Sequence, residues 1–133
     1  MPLPGKLDVF FYEAFAEEAR VLKRLLPPGV RAGFSRLTIQ ECGHQHPPCS
    51  FISIRTQSKI PAGWAGSLEG ILTRSTGYDH VASFLRETRS SIPAGYLPSY
   101  CSRAVAEQAL ALWMALLRRL PKQVRQFAGF DRD

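Results

Sequence analysis

Apolar residues come in short blocks along this chain, and their spacing changes from block to block. Lys6 to Tyr12 (KLDVFFY), bounded by Pro4-Gly5 and Glu13, reads as a buried strand. From Phe15 to Leu26 the period becomes helical, with Phe15, Ala19, Leu22, Leu25 and Leu26 on one face. Glu17 and Glu18 occupy the first turn of that helix and Arg20, Lys23 and Arg24 lie further on, which complements its dipole. Pro27-Pro28-Gly29 stops it. Val30 to Phe34 predicts a second strand, Phe51 to Arg55 (FISIR) a third and Gly70 to Thr73 a fourth. A helix over Asp79 to Thr88 follows at once. After a break at Ser90 to Pro93, Gly95 to Pro98 predicts a short fifth strand.

Strands alternating with helical or loop material argue for an α/β fold. We expect a flavodoxin-like, doubly wound parallel sheet of about five strands in the order 2-1-3-4-5, with helices on both faces. The last element is a helix from Arg103 to Leu120, with Ser102 as its N-cap and Pro121 as its end. From Ala109 to Leu117 (ALALWMALL) it has no polar face, and a helix apolar all round must be covered all round. Something outside the chain, or a second copy of it, is expected to cover the far side.

Composition narrows the setting. The chain has 133 residues, 45% hydrophobic and 21% charged, as expected of one globular domain. Its net charge of +6 is scattered except near the end, where Arg118, Arg119, Lys122, Arg125 and Arg132 collect. No nucleic-acid module accompanies them, so they read as a solvated basic face. No signal peptide is expected: Met1 to Gly5 carries no basic region, and Asp8 and Glu13 interrupt Leu7 to Phe15. The longest apolar run falls well short of the ~20 residues that span a bilayer, so no membrane partner is expected. Three cysteines, an odd number, make no disulfide framework, and a reducing cytoplasm fits best.

The candidate chemistry lies at Gly70-Ile71-Leu72-Thr73-Arg74-Ser75-Thr76-Gly77-Tyr78-Asp79-His80. A strand runs here into small hydroxyl residues and a glycine, then into a helix. Such a junction opens onto the crevice at the carboxyl ends of parallel strands. Ser75, Thr76 and Gly77 can turn backbone N–H groups toward one anion beside the positive end of the helix. A β-branched residue at Gly77 is expected to close that approach and distort the turn. Two other flavodoxin-like functions fail. The third strand ends in Arg55-Thr56-Gln57 without the acidic cluster of a response regulator, and Glu13-Ala14-Phe15 is no hydroxyl-rich flavin phosphate loop. Cys42, His44, His46 and Cys49 pack soft-metal ligands into one proline-rich loop, but C-x-H-x-H-x-x-C matches no known finger and reads better as a plain connection. Tyr100-Cys101 should lie at the same sheet edge as Thr76-Gly77; no base accompanies Cys101, which reads as a packing residue.

Three segments carry a resemblance: Ile54-Arg55-Thr56-Gln57-Ser58-Lys59-Ile60-Pro61, then Leu72 to His80, then Leu97-Pro98-Ser99-Tyr100-Cys101-Ser102-Arg103-Ala104-Val105-Ala106-Glu107. In their order and spacing they resemble the NAD-dependent D-2-hydroxyacid dehydrogenases. The resemblance implies a flavodoxin-like substrate domain over 1–101. Over 102–133 it implies a helix crossing toward a Rossmann NAD domain that this chain lacks, a reading consistent with the absence of any G-x-G-x-x-G. It implies that the backbone of Thr76 and Gly77, flanked by Ser75, binds the carboxylate of a 2-oxo or 2-hydroxy acid, that Tyr100 stands on the substrate side, and that Val105 contributes a minor cofactor contact. The arginine, histidine and glutamate of the family's catalysis lie outside this chain, so none is assigned here and the chain alone is expected to be inactive. NAD would be bound mainly by the missing domain, and the apolar helix from Arg103 to Leu120 would form a homodimer contact. The alternative is a binding or scaffold module of the same fold without catalysis.

Overall fold

The structure, a computed structural model, describes residues 6–129. Met1 to Gly5, with the boundary expected at Pro4-Gly5, and Arg132 lie outside the described residues. The chain forms two compact units, Met1–Pro98 and Ser99–Asp133.

The first unit is a five-stranded, all-parallel sheet in the order β2-β1-β3-β4-β5. Its strands are β1 Val9–Phe11, β2 Ala32–Phe34, β3 Phe51–Ile54, β4 Gly70–Thr73 and β5 Ala94–Gly95. The expected fold class and strand order therefore hold. The fifth strand is shorter than expected and begins one residue earlier, for only Ala94 and Gly95 pair, opposite Ile71 and Leu72. Helix α1 (Ala16–Leu25) begins one residue after Phe15, and α3 (Asp79–Glu87) follows β4.

A short helix, α2 (Ile39–Cys42), has no signature in the apolar pattern. It is made by its ends. Thr38 and Glu41 form a reciprocal capping box, with Thr38 Oγ1 accepting from the Glu41 N–H and Glu41 Oε2 accepting from the Thr38 N–H at 2.8 Å. Gly43, left-handed at φ 66°, closes it.

Side chains alternate across the strands, so the register assigns each to a face. Phe10, Tyr12, Ile52, Ile54 and Ile71 share one face with the main core, where Ile39, Trp64, Leu68, Val81 and Phe84 meet them. Tyr12 and Ile54 are 0% exposed there. The opposite face carries Phe11, Phe34, Phe51 and Leu72. Lys23 of α1 lies over the Phe34 ring at one side of it. Phe51 and Leu72, on the other side, are 47% and 41% exposed, in an apolar trough of about 850 Å³. Helices therefore do pack on both faces, but within this unit the second face is covered over only part of its width.

The second unit is helical, α4 (Ser102–Leu117) followed by α5 (Leu120–Ala128). The helix expected over Arg103 to Leu120 is α4, which ends at Leu117, and a second helix that was not expected follows it. Arg119, left-handed at φ 51°, makes the break, and Pro121 lies in the first turn of α5 rather than ending α4. Proline is tolerated there because the first amides of a helix have no intrahelical acceptor to lose. Ser102 is the first helical residue and Cys101 takes the N-cap position, without a side-chain bond. Leu112, Trp113 and Leu116 are 56%, 62% and 70% exposed. Leu120, Val124 and Phe127 form an exposed apolar stripe along the amphipathic α5. No described helix is long and apolar enough to cross a membrane.

Candidate functional site

The carboxyl edge of the sheet is built from the ends of β1, β3 and β4, tied down by buried polar groups. At the end of β1, Glu13 is held at φ 53° and is 7% exposed. Its carboxylate accepts the backbone N–H groups of Arg55 (2.9 Å), Gln57 (3.2 Å) and Ser58 (3.1 Å), which shapes the loop leaving β3. The same loop is held from α2, where Gln40 bonds to Gln57 and Lys59, and Ser58 Oγ accepts the Ile39 N–H.

At the end of β4, Arg74 points into the protein rather than toward the crevice. It is 6% exposed. Its guanidinium donates to Glu18 Oε1 (2.8 Å), Ser53 Oγ (2.8 Å) and the Tyr12 carbonyl (2.7 Å), and it lies over the Phe11 ring. This arginine therefore welds α1, β1, β3 and β4 together.

The turn of Ser75, Thr76 and Gly77 comes next. Ser75 is buried, whereas Thr76 and Gly77 are exposed. Ser75 Oγ donates to the Gly77 carbonyl (2.6 Å) and lies 2.6 Å from Thr73 Oγ1, which in turn lies 3.1 Å from His80 Nε2. The Ser75 carbonyl accepts the Leu97 N–H, tying the turn to the segment after β5. Burial of the imidazole lowers the His80 pKa below its usual 6.5, against the opposing pull of Glu13 and Asp79.

The turn does not need a glycine at position 77 for its own shape, contrary to the expectation that a β-branched residue there would distort it. The Gly77 backbone is not left-handed, and a Cβ placed on it would meet nothing within 4 Å. The chain's own packing gives no reason for a glycine here. Its absent side chain instead leaves the outer side of the turn open to close approach.

Tyr100 and Val105 belong to the helical unit, where they are 56% and 61% exposed. The cysteine–histidine loop packs within the sheet unit. The Tyr12 hydroxyl meets His44 Nδ1 at 2.7 Å, Cys42 Sγ lies 3.2 Å from Ser35 Oγ, and the Cys49 thiol donates to the Phe51 carbonyl. His46 is exposed. Burial raises the pKa of the Tyr12 phenol and of the Cys49 thiol. Among the described residues, no three His, Cys, Asp or Glu side chains gather as a metal would require.

Glu13, Arg74 and His80 are absent from the residues picked out by sequence. Arg74 and His80 lie within the singled-out stretch, but nothing in their spacing says that one faces inward and the other closes a hydroxyl chain. Glu13 carries no local signal, because its three partners are backbone groups 42 to 45 positions away.

The sequence matches no protein-family model and no curated protein. The structure is similar to a D-lactate dehydrogenase from Aquifex aeolicus complexed with NAD and lactic acid, with a TM-score of 0.74 and 19% identity, over 95% of this chain and 38% of that one. It is also similar to the apo form of D-lactate dehydrogenase from Escherichia coli, with a TM-score of 0.66 and 16% identity, over 94% of this chain and 42% of the other. The fold is that of a D-2-hydroxyacid dehydrogenase-like domain, and the chain spans about two fifths of these relatives' length.

Proposed function

We propose that this chain is the substrate domain of an NAD-dependent oxidoreductase acting on a D-2-hydroxy acid and its 2-oxo partner, and that the turn of Ser75, Thr76 and Gly77 holds the substrate carboxylate. The observation that carries this reading is the likeness over nearly the whole chain to an enzyme holding NAD and lactic acid. It is supported by a turn at the carboxyl edge whose glycine leaves an open approach that the chain does not itself use.

Backbone N–H groups at the head of α3 suit a carboxylate, because they donate without bringing a counter-charge and lie at the positive end of a helix. Their part is orientation. A carboxylate fixed at one end presents the neighbouring carbonyl or hydroxyl carbon in one direction, which lowers the entropic cost of the reaction. Tyr100, in the helical unit, is proposed as a substrate contact on the resemblance alone.

The residues present do not fit the dinucleotide. The junction after β1 is Glu13-Ala14-Phe15, without a glycine-rich turn, and the Glu13 carboxylate already takes up N–H groups of the neighbouring β3 loop. NAD, which supplies hydride chemistry when bound, is therefore assigned to a part of the enzyme other than this chain, with Val105 at most a peripheral contact. No catalytic acid or base is assigned here.

We further assign α4 to a homodimer contact, since its large apolar side chains are exposed along most of its length. Parallel titrations of the chain with pyruvate and NADH test the functional reading. Pyruvate should shift the amide resonances of residues 75 to 78, whereas micromolar binding of NADH to this chain would overturn the division of labour.

A further inference from the structure

We propose that His80 is a positioning residue for the anion turn, the donor end of a one-way hydrogen-bond chain that runs through Thr73 and Ser75 to the Gly77 carbonyl and locks the Gly77–Tyr78 peptide. The proposal rests on the reading of this turn as a carboxylate site.

The direction follows from counting protons. A carbonyl can only accept, so the single hydroxyl proton of Ser75 is committed to Gly77. Ser75 Oγ must then accept from Thr73, which commits the Thr73 proton. Thr73 Oγ1 can therefore meet His80 Nε2 only as an acceptor, and Nε2 must carry a hydrogen. Thr73 is 0% exposed and Ser75 7%, so no bulk water competes for these protons. His80 is the only member with a second nitrogen. It donates from Nε2 whether the ring is neutral or charged, so the chain keeps its direction in both states.

The chain ends on a peptide plane that matters. In a trans peptide the C=O and the following N–H point in opposite directions. Holding the Gly77 carbonyl inward on Ser75 therefore turns the Tyr78 N–H away from Ser75, at the head of α3. The Tyr78 N–H is here a further donor to the carboxylate, beside those of Thr76 and Gly77, and a flip of this peptide would aim a carbonyl in its place. Glycine makes that flip easy, and the chain from His80 opposes it.

The test uses the full chain with pyruvate as the probe, followed by two-dimensional amide NMR. Thr73→Val and His80→Leu should each weaken pyruvate binding by about five- to tenfold, the scale of one lost buried hydrogen bond, while the donor-retaining His80→Gln should stay within about twofold of wild type. Wild-type affinity in Thr73→Val and His80→Leu would overturn the proposal and leave the carboxylate site standing. If pyruvate shifts no amide in the wild type, the carboxylate reading fails, and the chain is judged on the Tyr78 amide alone. A Tyr78 shift and exchange rate moved by Thr73→Val and restored by Thr73→Ser would support the lock, and an unmoved Tyr78 would overturn it. Should Thr73→Val not fold, the His80→Leu and His80→Gln pair carries the same comparison.

Discussion

The two units of this chain treat apolar residues in opposite ways. In the sheet unit, Tyr12, Ile52 and Ile54 are at most 1% exposed, sealed between one sheet face and the elements around Ile39, Trp64 and Phe84. In the helical unit, no residue of α4 or α5 is buried. Both segments are rich in the same residue types, so composition does not separate them. Layering does. A sheet face and two helices can enclose a core, whereas a pair of helices leaves most of its apolar surface outside. The sheet unit is therefore expected to hold its own stability, and the helical unit to draw its stability from something it meets.

The sharpest way to break that comparison is a cavity in the sheet core. Ile52→Ala should cost about 2–5 kcal/mol in chemical denaturation, while Leu116→Ala on α4 should fall within about 0.5 kcal/mol at concentrations where the chain is monomeric. Equal losses would mean that the helical unit is part of the same core. Next in size is Glu13→Ala. It strips the acceptor from three backbone N–H groups in a partly buried loop, where each unsatisfied donor costs up to about 1–3 kcal/mol, so a loss of about 2–4 kcal/mol is expected once partial hydration is allowed.

A third comparison concerns association rather than unfolding. Each large apolar side chain moved out of water is worth roughly 1.5–3 kcal/mol, so three or four on α4 outweigh a moderate association cost of about 4 kcal/mol or more. The chain should self-associate at tens of micromolar, and Leu112→Glu with Leu116→Glu should render it monomeric in sedimentation without lowering the stability of the sheet unit. A wild type that is already a monomer would remove the homodimer contact.

The smallest expected effect is on pH. His80 has a folded pKa below its unfolded 6.5, chiefly through burial, so between those two values the unfolded chain binds more protons than the folded one. Stability should thus be fully present above pH 6.5 and decline as the pH falls through the folded pKa. Glu13 and Asp79 soften the decline, and Lys59 and Glu87, which line a pocket of about 290 Å³ with His80, share the surroundings. His80→Gln should flatten this part of the pH–stability curve. An unchanged slope would assign the decline to other groups.

Much of the sheet was legible because its strands are contiguous apolar blocks. Gly70–Thr73 was bounded to the residue, and the strand order followed from the alternation of strands and helices. What escaped was decided by ends and distant partners. Pro121 reads equally well as a stop or as a first turn, and only the left-handed Arg119 decides between them. The capping box of Thr38 and Glu41 was visible as T-x-x-E, but no apolar period drew attention to it. At the candidate site, the turn at Ser75 to Gly77 was legible as a strand–glycine–helix junction. Its hydroxyl chain was not, since spacing does not reveal which side chains turn inward.

Glu13 has a consequence for how the chain folds. Its carboxylate joins backbone groups 42 to 45 residues downstream, across the parallel pairing of β1 with β3. Contacts of such separation form late, since the loop between them must close before they bring any gain. Glu13 should accordingly be a latch that sets after the folding barrier has been crossed. Its removal should leave the refolding rate nearly unchanged and appear almost entirely as faster unfolding. In kinetic terms the residue that shapes the β3 loop governs how long the folded state survives, and has little say in how quickly it is reached.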